Sequence, residues 1–182
     1  ARAIKYIRRT KFLRLTIEAT YLDQNHWFID GAFAVHDDMR SHTGAYMTFG
    51  YGMLDGSAIG QKINTTSSTE AEVVAVHDNM HAMLWVRYFL DAQGYPLRPT
   101  EVHQDNLSAK LLETNGHGSS SKRTRHMNIR YFSWRMYRKG NTSKSNIVTD
   151  EMIADFFTKP LARTKFEKFR DLMGVRDVAY VF

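Results

Sequence analysis

Two spacings of apolar residues divide this chain. Short runs come first: Trp27, Phe28 and Ile29 lead to Asp30 within a strand expected over residues 26–35. Residues 44–49 predict a second strand, punctuated by Gly50 and Gly52, and residues 57–63 a weaker third. Three adjacent short strands joined by polar turns imply an antiparallel meander. The spacing then turns helical. Ala75, Val76, Met80, Met83, Leu84 and Val86 recur three and four residues apart, so a long helix is expected over residues 68–92. Ser67, Ser68 and Thr69 offer its cap, while Gly94 and Pro96 end it.

Beyond it the pattern alternates. Residues 101–105 read as a strand, 107–114 as a short helix, and 115–121 as a Gly- and Ser-rich connection. A basic helix is expected over residues 122–139, with Ile129, Phe132 and Met136 on one stripe, and a last strand, poor in apolar alternation, over 143–148. Thr149 or Asp150 would cap a helix carrying Met152, Ile153, Phe156 and Phe157; Pro160 interrupts it, and Phe166, Phe169 and Leu172 mark a terminal helix. Residues 1–20 are basic and periodic, a helix running into a strand. Antiparallel strands followed by alternating strands and helices predict an α/β fold, a mixed sheet with helices on its faces.

Composition narrows the chemistry. The chain has 182 residues, 43% hydrophobic, enough for a sizeable core. Its net charge of +6 favours a polyanionic partner. The absence of cysteine excludes disulfides and thiolate zinc sites and fits an intracellular protein. No apolar run is long enough to span a bilayer, so no membrane partner is expected. The basic pattern already under way at Ala1 reads as a segment of something longer.

Four carboxylates stand at the edges of apolar segments: Asp30, an acid of the Glu70-Ala71-Glu72 stretch, Asp105 and Asp155. Gly31 would let a ligand approach Asp30. Neighbouring buried acids repel unless a cation compensates them, and hard oxygen donors suit Mg²⁺ or Mn²⁺. Two such ions, roughly 3.5–4 Å apart, are the apparatus of phosphodiester cleavage. Helical phase separates the paired glutamates. Glu72 heads the stripe through Ala75, Val76, Asn79, Met80 and Met83, and so faces the sheet. Glu70 shares a more polar face with His77 and His81 and reads as a first-turn acid favoured by the helix dipole, with the ligand role as its alternative.

In order and context, Asp30, Glu72, Asp105 and Asp155 resemble the Asp-Glu-Asp-Asp set of ribonuclease H. The wording is most similar to the ribonuclease H domain ending copia-type LTR-retrotransposon polyproteins. Its carriers are Asp37 to Gly44, Gln61 to Glu72, Gln104 to Ala109, Lys122 to Tyr131 and Met152 to Leu161. The resemblance implies a five-stranded mixed sheet of order 3-2-1-4-5, its first three strands antiparallel. It implies two Mg²⁺ or Mn²⁺ ions on the four acids, and endonucleolytic cleavage of the RNA strand of RNA/DNA hybrids during reverse transcription. Residues 1–20 would be the tail of a preceding reverse transcriptase region, itself a partner, and residues 21–182 the ribonuclease H-like domain. Cytoplasmic virus-like particles would be the setting. One departure stands out: many ribonucleases H carry a histidine in a loop before the last aspartate, and residues 140–151 contain none.

Substrate contacts are expected from Lys122, Arg123, Arg125 and His126 on phosphates, with Ser68 and Asn106 beside the acids. Recognition would follow backbone shape and 2′-hydroxyls rather than base sequence. Two rival readings compete: a decayed copy that binds hybrid or the reverse transcriptase without cutting, and a zinc hydrolase built on His77 and His81. The second lacks the glutamate of the His-Glu-x-x-His pattern, having Asp78 in its place.

Overall fold

The computed structural model describes residues 2–109, 142–146 and 149–177. A basic helix α1 (Arg2–Thr10) leads into short strands β1 (Leu13–Leu15) and β2 (Glu18–Ala19). The meander follows as β3 (His26–Ala32), β4 (His42–Thr48) and β6 (Asp55–Gly60), with the two-residue β5 (Gly50–Tyr51) between the last two. Then come α2 (Ser68–Ala92), β7 (Thr100–Gln104), β8 (Thr142–Asn146), a 3₁₀ turn at Thr149–Glu151, α3 (Asp155–Thr158), α4 (Arg163–Leu172) and β9 (Val175–Asp177).

The main sheet has five strands in the order β6-β4-β3-β7-β8. Pairing is antiparallel among β6, β4 and β3, and parallel from β3 to β7 and from β7 to β8. Numbered in chain order within this sheet, the strands run 3-2-1-4-5. Alternation along β3 and β4 gives the sheet two apolar faces. Trp27, Ile29, Ala45 and Met47 pack with Val76, Met80 and Met83 of α2. On the other face Tyr46 and Phe28 pack with Ile153, Phe156, Phe157 and Phe169, around α3 and α4. The layers are therefore helix, sheet, helix.

Several boundaries differ from expectation. The third strand ends at Gly60, because the Gln61 side chain turns inward: its amide donates to Thr43 Oγ1 (3.1 Å) and the Ala71 carbonyl (2.8 Å). The helix expected around Met152 shrinks to α3, and Met152 and Ile153 are buried in the turn before it. Asp155 thus begins α3 rather than lying inside a longer helix. Gly31 serves α2 rather than a ligand: a Cβ there would sit 2.5 Å from the Ala71 carbonyl oxygen, so its absence lets the first turns of α2 press onto β3. Residues 13–19 are stitched to the rest of the fold, β1 to β9 and β2 to β5. The expected basic helix over 122–139 lies outside the described residues.

Candidate functional site

The start of α2 is fixed by reciprocal hydrogen bonds. Ser67 Oγ accepts from the Glu70 N–H (3.2 Å), and Glu70 Oε2 accepts from the Thr66 N–H (2.7 Å) and hydroxyl (2.8 Å). This is a variant of the capping box, reaching one residue further back than usual. Glu70 is buried in that role. Two residues on, Glu72 points the other way. One carboxylate oxygen from each of Asp30, Glu72 and Asp105 lies within 4.8 Å of the others. Asp30 comes from β3 and Asp105 directly follows β7, so the parallel pairing of these strands brings the two acids to the same end of the sheet.

Asp155 approaches from α3, through cations. Lys159 Nζ lies 3.2 Å from Asp30 Oδ1 and 2.6 Å from Asp155 Oδ1; Lys165 Nζ lies 3.0 Å from Asp155 Oδ2. The Thr158 hydroxyl donates to Asp30 Oδ2. Asp30, Glu72 and Asp155 are all buried. Burial raises the pKa of Asp30 above the ordinary carboxylate value against the opposing Thr158 hydrogen bond and Lys159 charge. Glu72 is raised well above its own, by burial first and then by the charges of Asp30 and Asp105. Lys159 is held above its ordinary value: burial opposes its charge, but the Asp155 hydrogen bond and the two carboxylates outweigh burial. Glu72 Oε2 is buried with no hydrogen-bond partner among the described residues. An orphaned carboxylate oxygen beside two more acids is the donor set a hard divalent cation requires. The residues present therefore fit such an ion.

These acids open onto a cleft of about 610 Å³. Ser68 and Asn106 line it, as does Lys159, together with Phe33 and Leu107. Lys122, Arg123, Arg125 and His126 lie outside the described residues. The sequence reading assigned no role to Thr158, Lys159 or Lys165. A signal was available for Lys159, which stands four residues after Asp155, at i and i+4 of the helix expected there; in the structure it is the extended C-cap of α3 and still reaches Asp155. His77 and His81 stack edge to face 6.5 Å apart on α2, while Asp78 accepts a hydrogen bond from Thr43 (3.1 Å). Among the described residues, the three-ligand clusters able to hold an ion do not include either histidine.

Solved structures with this architecture include a ribonuclease H1 isolated from compost by a metagenomic approach. It superposes with a TM-score of 0.53 at 15% identity over 80% of this chain and 97% of that one. The same enzyme solved in complex with an RNA/DNA hybrid gives 0.54 at 17% identity, over 74% and 93%. Ribonuclease H1 of Halobacterium salinarum gives 0.51 at 14%, over 72% and 90%. The protein has the ribonuclease H fold.

No protein-family model matches the sequence. The chain is 33% identical over 140 residues to the retrovirus-related Pol polyprotein from transposon TNT 1-94 of Nicotiana tabacum, covering 76% of this chain and 10% of that protein. It is 32% identical over 156 residues to the corresponding polyprotein from transposon RE1 of Arabidopsis thaliana, covering 84% and 10%. It belongs with the retrovirus-related Pol polyproteins of plant transposons, as a domain of ribonuclease H fold, and spans about a tenth of their length.

Proposed function

We propose that this domain is a metal-dependent endoribonuclease that cleaves the RNA strand of RNA/DNA hybrids during reverse transcription of a copia-type LTR retrotransposon. The observation that carries the reading is the convergence of Asp30, Glu72 and Asp105, with a buried Glu72 oxygen left without a partner. Asp30 and Asp105 would bind or bridge two Mg²⁺ or Mn²⁺ ions, with Glu72 and Asp155 completing the sites. Bound there, the ions would activate a water and stabilise the leaving oxygen. The chain's own residues prepare this. Thr158 and Lys159 orient Asp30, Lys165 holds Asp155, and the capping box fixes the turn from which Glu72 projects. Ser68 and Asn106 line the same cleft and would meet the hybrid backbone. Lys122, Arg123, Arg125 and His126 would track its phosphates. The reverse transcriptase region of the same polyprotein is the proposed partner, with residues 1–20 as its tail and cytoplasmic virus-like particles as the setting. Among the described residues no helix is long and apolar enough to cross a membrane.

One observation favours a second reading, binding without cleavage: the Lys159 ammonium already bridges Asp30 and Asp155. A labelled RNA/DNA hybrid separates the two. Cleavage in Mg²⁺ or Mn²⁺ that falls more than about 100-fold in Asp30→Asn, with an unchanged circular dichroism spectrum, is the expected result. Binding without cleavage at saturating metal supports the second reading, and wild-type cleavage by Asp30→Asn overturns the site.

A further inference from the structure

A second cluster of ligating atoms sits on the same two strands, at the start of β3 and along β7. His26 opens β3 and lies opposite Glu101 of β7; Phe28 lies opposite His103. His26, Glu101 and His103 therefore share one face of the parallel pair. His26 Nδ1 is 3.1 Å from His103 Nε2 and 3.3 Å from Glu101 Oε2, and the three ligand atoms all lie within 4.8 Å of one another. The His103 ring is held by stacking on Phe28, centroids 4.3 Å apart and planes 15° off parallel. His26 lies end to end with His103, ring centroids 5.4 Å apart and planes 17° off parallel, with the two nitrogens facing each other. The His26 and Glu101 side chains are 25% and 32% exposed, so an ion could enter from solvent.

The geometry points to a binding site for a zinc-class divalent transition metal on His26 Nδ1, His103 Nε2 and Glu101 Oε2. Zinc bonds to nitrogen and oxygen of about 2.0–2.1 Å place tetrahedral ligands about 3.3–3.4 Å apart, close to the spacings His26 already makes. Two imidazoles and one carboxylate select zinc and its neighbours over magnesium, which prefers oxygen and six-fold coordination. Three protein ligands leave one position for water. It shares no ligand with the acids: His26 precedes Asp30 by four residues on β3, about 13 Å of strand, and His103 of β7 precedes Asp105 by two. Its place gives it a role. β3 and β7 pair in parallel and no hairpin closes them. A metal here would clamp the start of β3 to β7, ahead of the positions that carry Asp30 and Asp105.

The test uses the full chain carrying Asp30→Asn, with saturating Mg²⁺, so that zinc at the acids does not enter the readout. Zn²⁺ about a hundredfold above its dissociation constant should raise the melting temperature by roughly 5–10 °C. Co²⁺ in its place should show the intense visible d–d bands of four-coordinate nitrogen ligation, at one equivalent. Adding His103→Gln should abolish both signals. Glu101→Gln, at a more exposed position, should weaken Zn²⁺ binding at least tenfold while leaving the metal-free circular dichroism unchanged. No thermal shift, or Co²⁺ bands that are weak or survive His103→Gln, would mean a hydrogen-bonded His-His-Glu cluster only and would overturn the site.

Discussion

Lys159 is the cation that lets Asp30 and Asp155 lie buried side by side. Removing it strands Asp30, whose charge burial already disfavours, and leaves Asp155 with Lys165 alone among the described residues. Lys159→Met should therefore lower metal-free stability, while Mg²⁺ stabilises the variant more than it does the native chain, since the ion then supplies the missing charge. Thermal melts with EDTA and with Mg²⁺ measure both, and an equal Mg²⁺ shift in the two proteins would contradict the argument. His103 carries a prediction of opposite chemistry. Burial lowers its pKa to about 4, partly opposed by Glu101 and reinforced by His26. The unfolded chain, with this group near 6.5, binds the extra proton first. Stability is therefore lost as pH falls from about 6.5 toward 4, by at most about 3 kcal/mol. Urea unfolding in EDTA across that window should show a shallower loss in His103→Gln than in the native chain. Asp30 and Glu72, with raised values, act with the opposite sign, destabilising as pH rises, and cancel in the comparison. At this scale the sequence was most legible where periodicity applied: phase alone pointed Glu72 at the sheet. The capping partner of Glu70, Thr66, was not legible, because a capping box ordinarily returns to the cap residue itself.

Between elements, the decisive contact is α2 on β3. The helix can bring Glu72 to Asp30 because Gly31 has no side chain: a Cβ would meet the Ala71 carbonyl oxygen at 2.5 Å and the Glu72 nitrogen at 2.7 Å, both backbone atoms. Gly31→Ala should cost about 1–3 kcal/mol or more through this overlap. It should also widen the acid cluster, so that cleavage and Mg²⁺-induced stabilisation fall together. The contrast with Asp30→Asn is the check: that variant should lose cleavage with its fold intact, and a fully stable, active Gly31→Ala protein would refute the packing argument. The meander and α2 were legible because alternation and helical spacing are local. The short helix at Asp155 was not, since Met152 and Ile153 are buried by tertiary packing outside any helix and so imitate a helical stripe.

Across the whole molecule, the order of the sheet depends on pairings between strands far apart in sequence, which no local pattern encodes; here resemblance to ribonuclease H supplied the order 3-2-1-4-5 and the described strands adopt it. The first 20 residues are a different case, because their pairing partners, β9 and β5, are too short to leave a periodic signal. Their two halves are attached unequally. α1 buries no residue and reaches α4 through the Tyr6 ring against Phe166, centroids 5.6 Å apart, and a long Arg170–Tyr6 hydrogen bond of 3.4 Å. Residues 13–20, by contrast, make two strand pairings and the backbone bonds Thr16 N–H to Gly174 O (2.8 Å) and Thr20 N–H to Phe49 O (3.0 Å). The Thr16 carbonyl also fits against Gly52, whose φ of +83° and missing Cβ leave room for it. Removal of residues 2–11 should shift the urea midpoint little, by the equivalent of about 1 kcal/mol for one aromatic pair. Removal through residue 20 should cost several-fold more, by unpairing β9 and β5 and exposing their backbone groups. Equal midpoints for the two truncations would place the boundary of the cooperative unit at residue 21; a large gap places it near residue 12, with β1 and β2 inside the ribonuclease H-like domain and only α1 left for the proposed reverse transcriptase partner.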